Sequence, residues 1–292
     1  MIITDVNETI DGAIEKMIKS GEIKKSKNYT LIMSCGKKRK VIIEVKGKPR
    51  RIRISSSIAN FHERLRARYS DYEDFKWFSH DDTIFFGMYH VGDFLRLICH
   101  QGRATVFFCG SDILQLPKWM VPVLKRVRNV CENVVEFRKL QELGIEAETH
   151  PMLFDDPDKY QVTYEHSDTP QVWITAHPGR KNEYGYTRLI EISKQVPGVL
   201  FHVFTDTPRD EFLRETAKMQ ATIRLNEFDG FSENLALAML RGQYAFSVIP
   251  YPDIETITSD AKLVEALKDL KNKHQPHESS YWRERLSKRV EV

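Results

Sequence analysis

The chain has 292 residues, 41% of them hydrophobic and 11% aromatic, with a formal net charge of +3. Such a chain can bury the cores of two domains and is excluded from the disordered class. No apolar run reaches the ~18 residues of a transmembrane helix, and Met1–Asp5 lacks the basic start of a secretory signal, so a cytoplasmic protein is expected.

Residues 5–20 read as a helix, capped by Asp5 or Asn7, with Ile10, Ile14, Met17 and Ile18 along one stripe. Tyr29–Met33 reads as a strand. Between Lys24 and Arg53 stand twelve Lys or Arg and one acid, Glu44, a local charge of +11 that leaves −8 for the rest of the chain. Such an excess is either a solvated face or the footprint of a polyanion, nucleic acid or an acidic membrane surface. Val41–Val45 and Arg51–Ile54, joined across Gly47-Lys48-Pro49, read as a basic hairpin. Its candidate nucleic-acid contacts are Lys37, Lys38, Arg39, Lys40, Lys48, Arg50, Arg51 and Arg53. Ala59–Tyr69 reads as a helix with a basic face.

From Thr83 onward short apolar runs alternate with helical stretches. Thr83–Gly87 and Ala104–Cys109 read as strands, Val91–Cys99, Val121–Val127 and 136–143 as helices, and Asn133–Val135 and Glu148–His150 as short β segments. The polar stretch Asp155–Pro170 is the best linker. A second series follows, with strands at Gln171–Thr175, Val199–Thr205, Ala221–Leu225 and Tyr244–Ile249. Helices are expected at Thr187–Gln195, Glu211–Met219, Glu233–Arg241, Asp260–Lys271 and Ser279–Lys288. The expected division is 1–160, 161–275 and a last helix, 276–292, packing back on the first domain. Two α/β domains place a ligand in the cleft beyond the carboxyl ends of their strands. Cys35, Cys99, Cys109 and Cys131 have neither zinc nor disulfide spacing and read as free thiols, and no metal cluster is apparent.

Two segments carry chemistry. In Val172–Gly185 a strand ends in Gly179, Arg180 and Lys181, cations able to bracket a diphosphate. In Arg224–Gly242 a strand leads through Asp229-Gly230-Phe231 to Ser232, an N-cap whose helix start attracts phosphate oxygens. Together they resemble the donor-binding half of retaining GT-B glycosyltransferases of the Glu-x7-Glu type. Gly179-Arg180 matches that family's first pair, and Tyr184-Gly185 stands where Lys-Gly is expected. Asp229-Gly230-Phe231-Ser232 and Leu237-Ala238-Met239-Leu240-Arg241-Gly242 match the later segments. Asp229 replaces the first glutamate and Leu237 the second, which usually holds the ribose hydroxyls and which a Leu cannot replace as an acceptor. Either Glu233 or Asn234 takes over, or nucleotide recognition is altered, or the scaffold is degenerate.

The resemblance implies two Rossmann-like domains facing a central cleft, with a basic N-terminal hairpin region. It also implies a nucleotide-sugar donor, UDP-linked by preference, held by Gly179, Arg180, Lys181, Asp229, Gly230, Phe231, Ser232, Glu233 and Asn234. Fixed cations would stabilise the leaving diphosphate without a metal or a further cofactor. In the N-terminal half, Asp112 after Gly110 either orients a hydroxyl or caps a turn, and His90 is a second cleft candidate. The basic segment favours DNA as acceptor, in architectural parallel with phage DNA glycosyltransferases acting on hydroxymethylated bases. The competing acceptor is a glycan or membrane glycolipid. A different class is a non-catalytic nucleic-acid-binding protein.

Overall fold

The computed structural model describes residues 29–34, 40–45, 49–277 and 280–292. The expected helix at 5–20 lies outside these residues, as do Cys35, Lys37, Lys38, Arg39 and Lys48. Strands β1 (Tyr29–Ser34) and β2 (Lys40–Val45) form a separate antiparallel pair, in register from Tyr29 opposite Val45 to Ser34 opposite Lys40.

The expected hairpin between residues 41 and 54 does not form. Strand β3 (Arg50–Ile54) runs parallel to its neighbours inside a six-stranded sheet. Ile52 and Ile54 alternate with arginines and are buried, so the sheet core captures this segment. A short 3-10 turn and helix α1 (His62–Arg68) follow, then β4 (Glu73–Asp74), β5 (Asp82–Phe86), helix α2 (Val91–Ile98) and β6 (Ala104–Phe107). Helix α3 (Val121–Leu124), β7 (Arg128–Cys131), helix α4 (Val134–Glu142) and β8 (Glu148–Thr149) complete the domain. The expected β segment at Asn133–Val135 is instead the start of α4. Asn133 Oδ1 accepts from the Val135 and Glu136 amides, and this N-cap bond outweighs the valines' strand preference.

The sheet order is β4-β3-β5-β6-β7-β8, all parallel. Strands β5 and β6 are buried along their whole length, as parallel strands covered on both faces must be.

The second domain repeats the scheme. Strand β9 (Gln171–Thr175), helix α5 (Tyr186–Ser193), β10 (Leu200–Phe204), helix α6 (Arg209–Thr216), β11 (Ala221–Arg224) and helix α7 (Glu233–Leu240) alternate in order. Strand β12 (Tyr244–Ser247), β13 (Glu255–Thr256) and helix α8 (Asp260–Asp269) follow. The order β10-β9-β11-β12-β13 is again all parallel. Helix α7 is apolar from Leu235 onward and wholly buried from Asn234 to Leu240, the central helix of this core.

Helix α9 (Ser280–Ser287) joins the two halves. Its Trp282 stacks on Phe231 in the second core, with ring centroids 4.7 Å apart. The residues after it return to the first domain. Tyr69 donates its hydroxyl to the Val290 carbonyl (3.1 Å), Arg289 pairs with Asp71 (2.6 Å), and Val290 is buried in that core. Among the described residues no helix is long and apolar enough to cross a membrane.

Candidate functional site

In each sheet the strand order reverses next to its first strand, at β3 and β5 in one domain and at β9 and β11 in the other. A ligand of a doubly wound sheet binds outside the carboxyl ends at such a point. Here both points open into one cleft of about 1020 Å³ between the domains. Ser57 and Tyr89 reach it from the first sheet, and Thr175, His177, Arg224 and Asp229 from the second.

The C-terminal wall is built from arginines and a helix start. Arg224, the last residue of β11, donates from Nε to Asp229 (2.8 Å) and lies over the Tyr184 ring, 4.6 Å from its centroid. Ser232 caps α7 by accepting from the Asn234 amide (3.3 Å). Asn234 Nδ2 donates to Thr175 Oγ1 (2.7 Å), fixing the helix start to the end of β9. Arg180 is exposed, pairs with Glu183 (Nε to Oε2, 2.7 Å), and lines the cleft. Lys181 lies apart. It faces a shallow depression beside the cleft and sits over the Tyr186 ring at 5.4 Å.

The N-terminal wall is built from buried carboxylates. Glu132, directly after β7, is 3% exposed and accepts from the Phe231 amide across the cleft (3.0 Å). Its other oxygen, Oε1, is buried and finds no hydrogen-bond partner among the described residues. Gly230 leaves no room for a Cβ, which would run into Glu132 Oε2. Facing it, Gly110 has φ +89°, and a Cβ there would stand 2.8 Å from the Gly230 nitrogen. The two glycines therefore let the domains touch backbone to backbone. Burial, with Asp229 and Asp112 nearby, pushes the Glu132 carboxyl well above the ordinary range. Burial and Glu132 do the same to Glu136, whose Oε2 accepts from the Glu132 amide (2.5 Å). Asp112 is fully buried and accepts from the Met88 amide (2.9 Å) and the Cys109 amide (3.1 Å). Its carboxyl is pushed up to about 7 by burial. Among the described residues no group of acids, histidines or cysteines is arranged to hold a metal ion.

Glu233 ties the walls together. It accepts from Arg209 (2.7 Å) and pairs with Arg64 of α1. Arg209 also reaches Asp155 (3.1 Å) and the Tyr160 hydroxyl (2.9 Å). Asp155 is held down to about 2: burial acts against this, but hydrogen bonds from Lys159 and Tyr160 outweigh it.

Of the residues expected at the site, Arg180, Asp229, Gly230, Phe231, Ser232, Glu233 and Asn234 line the cleft. Gly179 and Lys181 border the adjoining depression. Asp112 does not face the cleft: it holds the turns after β5 and β6 from behind. His90 caps α2 at the surface, where Nε2 meets Ser57 Oγ at 2.7 Å. Leu237 is wholly buried in the second core. Arg50, Arg51 and Arg53 are each paired with acids of this chain, Arg50 at the exposed surface. Arg50 pairs with Asp71 (2.6 Å) and Glu291 (2.5 Å), Arg51 with Asp81 (2.6 Å) and Glu73 (2.9 Å), and Arg53 with Asp93 (3.1 Å). Sequence reasoning missed Glu132, Arg64, Arg209 and Arg224. The position of Glu132 at the end of a parallel strand was the available signal, hidden because β7 itself was not recognised.

No protein-family model matches the chain, and no curated protein matches it. Solved structures do. TarM superposes with a TM-score of 0.51 at 11% identity, over 77% of this chain and 54% of TarM. A variant of S. aureus TarM in complex with Fondaparinux, alpha-GlcNAc-glycerol and UDP gives 0.53 at 11% identity, over 70% and 52%. The pneumococcal O-GlcNAc transferase GtfA in complex with UDP and GlcNAc gives 0.46 at 12% identity, over 70% and 54%. The chain spans about half the length of these structures. Two parallel, doubly wound sheets facing one cleft make this the GT-B fold.

Proposed function

We propose that the protein is a retaining glycosyltransferase that binds a UDP-sugar in the interdomain cleft and transfers the sugar to a hydroxyl of a glycan-type acceptor. The observation that carries this reading is the convergence of Arg180, Arg224 and the Ser232 helix start on one wall. Helix-start amides and planar guanidinium groups are the donors a diphosphate takes. Among the described residues Arg180 is held by a surface pair with Glu183, which exchanges for phosphate at little cost. As the sugar leaves, charge grows on the diphosphate, and these fixed donors stabilise it in place. The sugar then lies toward Glu132, beneath the Gly230–Phe231 turn.

A glycan acceptor is favoured over a DNA base for two reasons. The solved relative with the TM-score of 0.53 is bound to UDP and to sugar compounds. Arg51, one of the arginines expected to contact DNA phosphates, is drawn onto Asp81 and Glu73 of the same chain with its side chain only 13% exposed. The test is turnover of radiolabelled nucleotide sugars, with glycans, hydroxymethylated DNA and water as alternative acceptors. Sugar transfer from a UDP donor, reduced about tenfold or more in Arg180→Ala, supports the reading, since a charge-assisted hydrogen bond contributes roughly 1.5–3 kcal/mol. No binding or turnover of any nucleotide sugar would refute it.

A further inference from the structure

The first domain carries a second pocket, of about 360 Å³, on the other side of α1 from the cleft. Arg53 of β3, Arg66 of α1 and Arg96 of α2 converge on it from three separate elements, with His62, Trp77 and one carboxylate, Asp74, also lining it. We infer that this pocket binds an anionic group, a phosphate, sulfate or carboxylate, on an extended acidic glycan acceptor, with Trp77 as a platform for a sugar ring.

Three guanidinium groups gathered in one pocket repel each other, and the acids present offset this only in part. Arg53 pairs with Asp93 (3.1 Å), which also accepts from Ser55 (2.6 Å). Arg66 approaches Asp74 at 3.5 Å, and that carboxylate is 82% exposed. Arg66 also donates to the Tyr72 carbonyl (3.1 Å), and Arg96 to the Gly92 carbonyl (2.7 Å). Among the described residues Arg53 Nε is buried and finds no hydrogen-bond partner. The pocket is therefore reached by the guanidinium ends of the three arginines, planar donors of the kind an anionic group takes. Burial and the neighbouring Arg96 also lower the Arg53 pKa, although Asp93 opposes them. The Arg96 guanidinium stacks over Trp77 at 5.0 Å, which leaves that ring half exposed at 45%. A cation beside an exposed aromatic face suits a charged sugar.

The pocket adjoins the cleft along the chain. Ile54 lines the pocket and Ser57 the cleft, and on α1 His62 and Arg66 face the pocket while Arg64 faces the cleft. An acceptor chain can therefore hold its reacting hydroxyl in the cleft and an acidic group in the pocket. This inference rests on the glycosyltransferase reading for its acceptor.

Calorimetric titration of the full chain with a sulfated heparin-derived tetrasaccharide, neutral cellotetraose and single-stranded DNA tests it, with UDP titrated separately. The sulfated sugar should bind at least tenfold more tightly than the neutral one and weaken with salt. The Arg66→Ala/Arg96→Ala double variant should lose tenfold or more of that affinity, while a charge-matched Lys194→Ala/Lys218→Ala control and all UDP affinities stay unchanged. Trp77→Ala should weaken the sulfated sugar but leave binding of inorganic phosphate intact. Equal binding of both sugars, preference for the DNA, or an unaffected double variant would overturn the inference. A loss of UDP binding in the wild type would instead count against the donor reading.

Discussion

The two walls of the cleft handle charge in opposite ways. On the C-terminal wall every arginine that reaches the cleft already has an acidic partner: Arg180 has Glu183, Arg224 has Asp229 and Arg209 has Glu233. On the N-terminal side Glu132 at the cleft and Asp112 and Glu136 behind it are buried together, and their hydrogen bonds come from backbone amides. The first wall is compensated and can exchange a carboxylate for a phosphate. Behind the second the carboxyls are uncompensated and take up protons, and Glu132, the one of the three that lines the cleft, suits a neutral hydroxyl rather than an ion.

The sharpest way to break this comparison is pH. Asp112 has a folded value of about 7 against an unfolded value near 4, so the folded state holds the extra proton between these limits. Stability should then fall as pH rises from about 4 to about 7 and level off above, by at most about 4 kcal/mol from this group. Glu132 and Glu136 tilt the curve the same way. Denaturant melts of Asp112→Asn should show a flatter slope in that window, and an unchanged slope would mean that Asp112 is ionised in the fold.

The contact between the walls gives the next largest effect. In Gly230→Ala the new Cβ displaces Glu132 from the Phe231 amide and forces the turn before Ser232 to move. Shifting a binding turn by about 1 Å costs about 100-fold in turnover. Full activity in this variant would show that the wall contact is dispensable.

The smallest effect sharpens the C-terminal wall itself. Arg224→Ala should weaken UDP about tenfold or more, the worth of one charge-assisted hydrogen bond. Lys181→Ala should weaken it less than about threefold, because that ammonium stands over Tyr186 outside the cleft and acts only through screened solvent. Calorimetry on both variants checks the order, and the reverse order would exchange their roles.

Much of the second domain was legible in the sequence. Gln171–Thr175 is an apolar run bounded by Pro170 and a Gly-containing turn, and it forms the strand expected. Ser232 before an apolar helix was recognisable as an N-cap, because capping depends on neighbouring residues alone. The first domain was harder. Arg50–Ile54 looked like half of a hairpin because Gly47-Lys48-Pro49 is a turn signal, yet its partners β4 and β5 lie more than twenty residues away. Strand β7 reads Arg-Asn-Val-Cys, and its two leading polar residues leave no apolar run to mark it. With β7 unrecognised, Glu132 had no reason to stand out. The partner of Arg64 depends on how two domains meet, and that of Arg209 on how two helices of one domain pack, which no local pattern encodes.

The central claim is that a nucleoside diphosphate sits against the C-terminal wall. Amide hydrogen exchange with and without saturating UDP tests it directly. Peptides covering 177–184 and 229–235 should gain protection, while those covering 104–115 change little. Protection confined to the first domain, or none at saturating UDP, would contradict it.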